Sequence, residues 1–149
     1  MRSLVTGGAG FIGSHLVEHL LRDGHEVTVL DNLSNGDLAN LGSVESNPSL
    51  TLRQCDVADY GAIERFFSGV DWVFHLAALA DIVPSIQRPL DYHRANVDGT
   101  VAVLEAARAA GVKRFVYSAS SSCYGIPDVY PTPETAPMHP QYPYALTKY

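Results

Sequence analysis

Short apolar runs rich in β-branched residues recur along the chain and predict its strands. They cover residues 3–5, 26–30, 50–52, 71–74 and 114–117. Nearly continuous hydrophobicity over so few residues is typical of strands that are buried on both faces of a parallel sheet. We therefore expect these five runs to lie in one parallel sheet.

Stretches with helical periodicity separate the strands. Apolar or amphipathic residues fall three and four positions apart at Phe11, Ile12, His15, Leu16, His19 and Leu20, and again at Val97, Val101, Leu104, Ala107 and Arg108. Gly111 closes the second stretch, and a further helix is predicted from Tyr144. Strands that alternate with helices predict an α/β fold with a doubly wound parallel sheet, in three αβα layers.

Two segments interrupt this alternation and are predicted to be loops. Residues 33–49 are rich in Asn, Gly and Ser and have room for a short helix at most. Residues 125–143 contain prolines throughout, which excludes a long helix or a central strand. Because the chain ends just after its last helix has begun, we expect Tyr149 to be a truncation point of one domain that covers residues 1–149.

Composition and charge narrow the class of protein. With 149 residues and 46% hydrophobic content, the chain can bury one sizeable core. A net charge of −6, with scattered Lys and Arg, argues against nucleic acid and membrane surfaces as partners. No apolar run approaches the roughly 20 residues of a membrane span. Cys55 and Cys123 lie far apart and no signal segment is present, so we expect a cytoplasmic protein with reduced thiols.

Glycines follow the first strand at positions 7, 10 and 13 and open the first helix. A turn this tight needs a residue that tolerates positive φ, and the backbone must approach a pyrophosphate with no Cβ between them. The anion then lies at the helix N-terminus, where N–H groups have no partner. The spacing therefore predicts a Rossmann dinucleotide-binding turn.

Asp31, at the end of the second strand, points to the identity of the dinucleotide. A carboxylate at this position accepts hydrogen bonds from the adenosine ribose and repels a 2′-phosphate. No Arg or Lys occurs between Asp31 and Arg53. NAD is therefore the expected cofactor rather than NADP.

Tyr144 and Lys148 form a candidate catalytic pair because residues four apart share one face of a helix. A tyrosine that accepts a proton near neutral pH needs a pKa about three below its usual value of about 10, which is ~4 kcal/mol of stabilisation. A nearby ammonium supplies such stabilisation, and Lys148 is the candidate. The serine cluster 118–122 ends the last strand, where ligands of open α/β sheets bind.

Together, residues 6–13, 30–34, 75–78, 96–100 and 144–148 resemble the extended short-chain dehydrogenase/reductases. Residues 120–125 with 142–149 look most like the bacterial UDP-N-acetylglucosamine and UDP-glucose 4-epimerases. The resemblance implies a UDP-sugar substrate, hydride transfer with NAD and a 4-keto intermediate. It also implies that the full-length protein forms a homodimer and that a C-terminal region, absent here, completes the substrate pocket.

The resemblance also assigns roles to residues. Ser120 would hydrogen-bond the substrate hydroxyl, Tyr144 would be the base, and Lys148 would lower the pKa of Tyr144 and bind the nicotinamide ribose. The residues expected to contact the cofactor, including those of the glycine turn and Asp31, are Gly7, Gly10, Phe11, Ile12, Gly13, Asp31, Asn32, Ser34, Asn35, Gly36, Asp56, Val57, Leu76, Ala77, Ala78, Leu79, Asn96, Ser118, Tyr144 and Lys148.

Several alternatives stay open from the sequence. A 4,6-dehydratase places an Asp-Glu pair after the catalytic Ser or Thr, whereas this chain has Ser121 and Ser122. A decarboxylase, a 4-reductase or a non-catalytic NAD-binding module is not excluded in this way. His15 and His19 have the spacing of a zinc-binding helix but lack a third ligand, so we expect no metal and place both on the helix surface. His75 ends an apolar strand and is predicted to be a hydrogen-bonded core residue.

Overall fold

The computed structural model describes residues 1–149 and is built on a parallel sheet of five strands. These are β1 (Arg2–Thr6), β2 (Glu26–Asp31), β3 (Leu50–Gln54), β4 (Trp72–His75) and β5 (Arg114–Tyr117). Their order is β3-β2-β1-β4-β5, and every neighbouring pair is parallel. The winding reverses between β1 and β4, which opens a crevice at the carboxyl ends of these strands. The predicted doubly wound α/β fold is confirmed.

Six α-helices connect or flank the strands. They are α1 (Phe11–Arg22), α2 (Tyr60–Ile63), α3 (Ile82–Gln87), α4 (Pro89–Tyr92), α5 (Gly99–Ala109) and α6 (Pro143–Lys148). A π-helical segment, His93–Asp98, joins α4 to α5, and 3₁₀ segments cover Leu38–Leu41, Glu64–Phe67 and Ser121–Tyr124. None of the helices combines the length and the apolar character that crossing a membrane requires.

Two apolar clusters cover the two faces of the sheet. Leu4 of β1 packs with Val103 and Ala106 of α5 in one cluster. The next residue, Val5, packs with Val17 and Leu21 of α1 in the other. Successive strand side chains point to opposite faces, so β1 anchors both layers of helices. Each fully buried Leu or Val contributes about 1.5–3 kcal/mol, and the sheet is held from both sides.

Helices α1 and α5 lie where periodicity predicts them, but among the periodic positions only Leu20 and Ala107 are buried. Phe11 and Ile12 are 77% and 64% exposed, while α1 buries Gly13, Ser14, Val17, Leu20 and Leu21. Helix α5 buries Ala102, Val103, Ala106 and Ala107, and leaves Val101 and Leu104 exposed. The buried faces also contain small residues, such as Gly13, Ser14 and Ala102, which give a weak hydrophobic signal in the sequence.

Candidate functional site

The glycine turn leaves no room for side chains. Gly7 has a φ of 70°, and a Cβ there would lie 2.7 Å from the backbone nitrogen of Ala77. A Cβ at Gly13 would lie 2.1 Å from the carbonyl oxygen of Gly7. The turn therefore packs directly against both the loop after β4 and the first turn of α1.

The N-terminus of α1 is open to an anion. Gly10 caps the helix without a side-chain hydrogen bond, and the first turn contains no acidic residue. The first N–H groups of a helix have no intrahelical acceptor, and the helix dipole adds a partial positive charge there. A phosphate group would accept hydrogen bonds from these N–H groups and interact favourably with the partial positive charge.

An open cleft of about 250 Å³ lies beside this helix end, between the turn and the carboxyl ends of the neighbouring strands. Fourteen of the predicted cofactor residues line it: Gly7, Gly10, Phe11, Asp31, Asn32, Ser34, Asn35, Gly36, Asp56, Val57, Leu76, Ala77, Ala78 and Leu79. Cys55, Ala80 and Ala95 also line the cleft and were not predicted. Each adjoins a predicted residue in the sequence, so extending those segments by one residue would have found them.

Asp31 links the glycine turn to the loop after β2. Its Oδ2 accepts a hydrogen bond from the Ala9 N–H and its Oδ1 accepts one from the Leu33 N–H, both at 2.9 Å. A Cβ at Gly36 would lie 2.9 Å from the same Oδ1. The carboxylate is 7% exposed and lines the cleft. Because each carboxylate oxygen has two lone pairs, it can accept a further hydrogen bond from a ribose hydroxyl.

Asn40 is a site-supporting residue that the sequence did not reveal. Its Nδ2 donates to the carbonyl oxygen of Ala9 at 2.9 Å, and the Asp37 N–H donates to the same oxygen at 3.0 Å. These two bonds hold the 3₁₀ segment Leu38–Leu41 against the glycine turn. No motif surrounds Asn40, and only the fold brings it to Ala9.

The predicted catalytic residues lie on two segments beyond β5. The Ser120 Oγ accepts a hydrogen bond from the Ser122 N–H at 3.2 Å and caps the 3₁₀ segment Ser121–Tyr124. Tyr144 lies in the first turn of α6, where its N–H donates to the Ser85 Oγ at 3.1 Å. The ring of Tyr144 meets the ring of Tyr92 edge-on at 6.5 Å. Contacts from α3 and α4 therefore fix the start of α6.

Lys148 is the buried member of the predicted pair. The residue is 6% exposed, and its Nζ lies 4.3 Å from the centre of the Tyr117 ring. Burial lowers the pKa of Lys148 to about 8, and negative charge on Cys123 would act in the opposite direction. Cys123, for which the neighbouring sequence offers no basic partner, is thus brought close to Lys148 by the fold. Its buried thiol donates to the carbonyl oxygen of Ala145 at 3.7 Å.

Asn96 connects the cleft to α6 through hydrogen bonds of its side chain. Its Oδ1 accepts from the Leu79 N–H at 2.8 Å, and its Nδ2 donates to the Leu79 carbonyl at 3.0 Å and to the Thr147 Oγ1 at 2.9 Å. The residue is 1% exposed. The residues that line the cleft do not include the predicted site residues Asn96, Ile12, Gly13, Ser118, Ser120, Tyr144 and Lys148.

His75 is a hydrogen-bonded core residue, as predicted. Its Nδ1 lies 2.6 Å from the Thr6 Oγ1 and its Nε2 lies 2.9 Å from the Thr100 Oγ1. Burial, together with the charge of Lys148, lowers the pKa of His75 to about 4. The imidazole is therefore neutral at neutral pH.

The two histidines of α1 lie on its surface, as predicted. The side chains of His15 and His19 are 66% and 65% exposed and lie 3.9 and 3.8 Å from Glu18 and Asp23. No group of three or more His, Cys, Asp or Glu side chains is placed to hold a metal ion.

Comparisons with known proteins agree with this geometry. The sequence model of the NAD dependent epimerase/dehydratase family matches residues 3–149. A UDP-glucose 4-epimerase of Mycolicibacterium smegmatis is 45% identical over 99% of this chain and 48% of its own length. The chain thus spans about half the length of the curated relatives it matches.

Two solved structures are similar over 99% of this chain. One is a UDP-N-acetylglucosamine 4-epimerase from Methanobrevibacter ruminantium in complex with UDP-N-acetylmuramic acid, with a TM-score of 0.93, 38% identity and 46% of that chain covered. The other is a dTDP-glucose 4,6-dehydratase from Streptomyces venezuelae with NAD and TYD bound, with a TM-score of 0.94, 41% identity and 48% covered. The backbone is therefore shared by enzymes that catalyse different reactions.

Proposed function

We propose that this chain, which belongs to the NAD dependent epimerase/dehydratase family, is the nucleotide-binding part of a UDP-sugar 4-epimerase. The observation that carries the proposal is a juxtaposition at the carboxyl ends of β1, β4 and β5. There Asn96 bonds both Leu79 of the cleft and Thr147 of α6, and Lys148 lies against Tyr117 at the end of β5. We further propose that a region beyond residues 1–149 completes the sugar pocket.

The residues of the cleft fit NAD. The glycine turn, where a Cβ at Gly7 or Gly13 would collide with backbone, leaves space for a pyrophosphate at the N-terminus of α1. Asp31 would accept a ribose hydroxyl, and Asp56 and Val57 would border the adenine. When bound, NAD supplies a hydride acceptor for the sugar C4, which would become a ketone and take the hydride back on its other face.

The chain's own residues would move one proton in this reaction. Tyr144 would take the proton of the sugar C4 hydroxyl and later return it, while the Ser120 hydroxyl would hydrogen-bond the same oxygen. The Lys148 ammonium would favour the tyrosinate, since an opposite charge nearby stabilises the charged form. A lowered Lys148 pKa, about 8, is compatible with this role because the amine is still largely protonated at neutral pH.

Epimerisation is favoured over dehydration by the groups that follow Ser120. Expelling water from a sugar requires a proton donor and an acceptor, and this chain has Ser121 and Ser122 at the positions that would hold them. This supports a reaction in which a single proton moves to and from one oxygen.

We also propose that the full-length protein is a homodimer in the cytoplasm. Large apolar side chains of α4 and α5, Leu90, Val101 and Leu104, are 82%, 61% and 45% exposed. Apolar surface of this kind is commonly covered by a partner. Both cysteines are free thiols, which fits a reducing compartment.

Substitutions in the full-length protein test the reaction. Tyr144→Phe removes the proton acceptor and should reduce UDP-sugar epimerisation by several orders of magnitude, with NAD affinity nearly unchanged. Ser120→Ala should cost less, on the order of 10²-fold, the usual effect of losing one positioned hydrogen bond. Interconversion of UDP-glucose and UDP-galactose, and of their N-acetylated counterparts, would be followed by chromatography. Near-normal turnover in Tyr144→Phe would contradict its assignment as the base.

A further inference from the structure

The Lys148 ammonium is buried without a carboxylate partner. Eight ion pairs occur in the molecule, and none includes Lys148. Removing an ammonium from water is costly unless another group compensates for the lost solvation. The group that lies against this ammonium is the Tyr117 ring, whose centre is 4.3 Å from Nζ.

This distance is that of a cation–π contact, in which the negative potential of an aromatic face attracts a cation within about 6 Å of the ring centre. Such a contact gains strength as the cation loses water contacts, and the Lys148 residue is only 6% exposed. Tyr117 is the last residue of β5, so a rigid strand rather than a loop carries the ring.

His75 fixes the plane of the Tyr117 ring. The two rings stack with centroids 5.8 Å apart and an interplanar angle of 25°. The Thr100 hydroxyl donates to the Asn96 carbonyl at 2.5 Å, so it is left to accept from His75 Nε2–H. The Nδ1 atom then accepts from the Thr6 hydroxyl, which itself accepts from the Ala77 N–H. Two threonines thus hold the imidazole in one tautomer and one orientation.

We propose that Tyr117 is a positioning residue for Lys148. Hydrogen bonds from Thr6 and Thr100 orient His75, His75 stacks on the Tyr117 ring, and this ring holds the Lys148 ammonium at the carboxyl end of β5. The consequence for catalysis rests on the function proposed above, because it acts through Lys148. The contact itself does not depend on that function and can be measured in this chain without substrate.

The charges around Lys148 are compatible with this role. On β4, His75 faces it in the neutral form, because burial lowers the pKa of His75 to about 4. Cys123, on the 3₁₀ segment Ser121–Tyr124, favours the charged amine when it is ionised. On α6 itself, the charge of an ionised Tyr144 raises the pKa of Tyr117. The Tyr117 face is therefore the neutral group that contacts the ammonium and stabilises it at neutral pH.

Nuclear magnetic resonance of lysine side chains tests the proposal on the 149-residue chain. Lys113 and Lys148 are its only lysines, so labelling with [ε-¹³C]lysine gives two signals, and Lys148→Arg identifies one of them. In the wild type, the ε-protons of Lys148 should be shifted upfield by the ring current of Tyr117, while Lys113 provides the internal reference. Unshifted ε-protons on Lys148 in the wild-type chain would overturn the proposal even if no variant folds.

Three variants then separate the aromatic face from the hydroxyl and from general packing. Tyr117→Leu removes the ring and should abolish the ring-current shift and lower the pKa of Lys148 further, by about 0.5 to 1.5. Tyr117→Phe keeps the ring, so it should retain the ring-current shift and the wild-type pKa of Lys148. Phe115→Leu is the matched control, because Phe115 lies on the same strand and packs on His75 at 6.1 Å, whereas the ammonium lies over the Tyr117 ring.

The outcomes distinguish this proposal from the proposed function. The positioning role would be overturned if the Lys148 pKa were the same in Tyr117→Leu as in the wild type. It would also be overturned if Phe115→Leu lowered the Lys148 pKa as much as Tyr117→Leu does. In the full-length enzyme, Tyr117→Leu should reduce kcat with a small effect on KM, and Tyr117→Phe should restore it. Absence of epimerase activity in the wild type would contradict the proposed function and leave the result on Lys148 in force.

Discussion

The Asp31 carboxylate accepts hydrogen bonds from the N–H groups of Ala9 and Leu33 and also lines the cleft. The same group therefore closes the glycine turn and presents negative charge where an adenosine ribose would bind. Its structural contacts use one lone pair on each oxygen, and the charge is free to act on the ligand.

Asp31→Asn should weaken NAD binding about tenfold or more and narrow the preference over NADP. The amide removes the charge that repels a 2′-phosphate and replaces one acceptor oxygen by a donor. Titration of the chain with both cofactors by calorimetry measures the two affinities. Asp23→Asn, at the far end of α1, is the control and should change neither. An unaltered ratio of affinities in Asp31→Asn would remove Asp31 from the ribose site.

The buried His75 makes stability depend on pH. Folding holds its imidazole neutral down to about pH 4, whereas its usual pKa is 6.5, so the unfolded chain binds more protons between these values. The free energy of unfolding should therefore decrease as pH falls from about 6.5 to 4, by up to about 3 kcal/mol from this residue. Acidic groups also lose stabilising charge in this range, so the contribution of His75 needs a difference measurement.

His75→Gln provides that difference. The variant should be less stable than the wild type at pH 7, because the Thr6 and Thr100 hydroxyls lose their shared partner. The gap between the two should shrink as pH falls to 4, which urea denaturation at several pH values would show. His15→Gln, at a side chain that is 66% exposed, should follow the wild type throughout. A gap that stays constant with pH would mean that His75 is not held neutral.

Among single residues, the sequence predicted those site residues that belong to a local pattern. Gly7, Gly13 and Asp31 were predicted because spacing and strand context identify them. Asn40 and Tyr117 were not, because their partners, Ala9 and Lys148, lie far away in the chain. A hydrogen bond or a cation–π contact of this kind depends on tertiary structure and leaves no spacing to recognise.

At the level of elements, α1 shows how far periodicity predicts. The helix begins at Phe11 as expected, yet its first two residues point to solvent and its buried face starts with Gly13 and Ser14. The helix N-terminus lies so close to the glycine turn that only small residues fit between them. Hydrophobic patterns therefore predicted that the helix exists, while steric contact decided which face is buried.

Gly13→Ala should destabilise the chain by about 2 kcal/mol or more. The new methyl group would lie 2.1 Å from the Gly7 carbonyl oxygen and 2.8 Å from the Gly8 Cα, and both are backbone atoms that cannot move without opening the turn. Urea denaturation measures the free energy, and NAD titration should show weakened binding in the same variant because the turn is displaced.

Gly61→Ala is the matched control within a helix. In α2 the nearest atom to the added methyl would be the Asp59 Oδ1 at 3.6 Å, an ordinary contact. Reduced entropy of the unfolded chain should then stabilise this variant by about 0.5–1 kcal/mol. If Gly13→Ala were as stable as Gly61→Ala, that result would contradict the close contact described between α1 and the glycine turn.

For the whole molecule, alternation of strands and helices predicted a parallel doubly wound sheet, but not which strands are neighbours. The order β3-β2-β1-β4-β5 places β1 at the centre, where Leu4 and Val5 each enter a different apolar cluster. The same order brings the ends of β1 and β4 together, and Thr6 there bonds His75. Strand order is a property of tertiary packing, so the sequence predicted most residues of the site, while the structure showed which strand ends bring them together.

Helices α4 and α5 expose large apolar side chains to solvent. Leu90, Val101 and Leu104 are 82%, 61% and 45% exposed, whereas α4 buries Tyr92 and α5 buries Val103 with several Ala residues. Leaving such side chains in water forgoes about 1.5–3 kcal/mol each relative to full burial. A second copy of the chain, which presents the same helices, would cover them symmetrically.

The chain should therefore sediment as a dimer at micromolar concentration, and the double variant Val101→Glu with Leu104→Glu should sediment as a monomer. Two carboxylates buried opposite two others would be repelled and desolvated, whereas on the free surface they are harmless. Ile126→Glu with Val129→Glu is the matched control, since these side chains are 76% and 61% exposed but lie in the loop before α6. Sedimentation velocity measures the mass, and NAD titration of both variants shows whether the fold is kept. A wild-type chain that stays monomeric at these concentrations, or a control that dissociates as readily as the α5 variant, would rule out a dimer formed through α5.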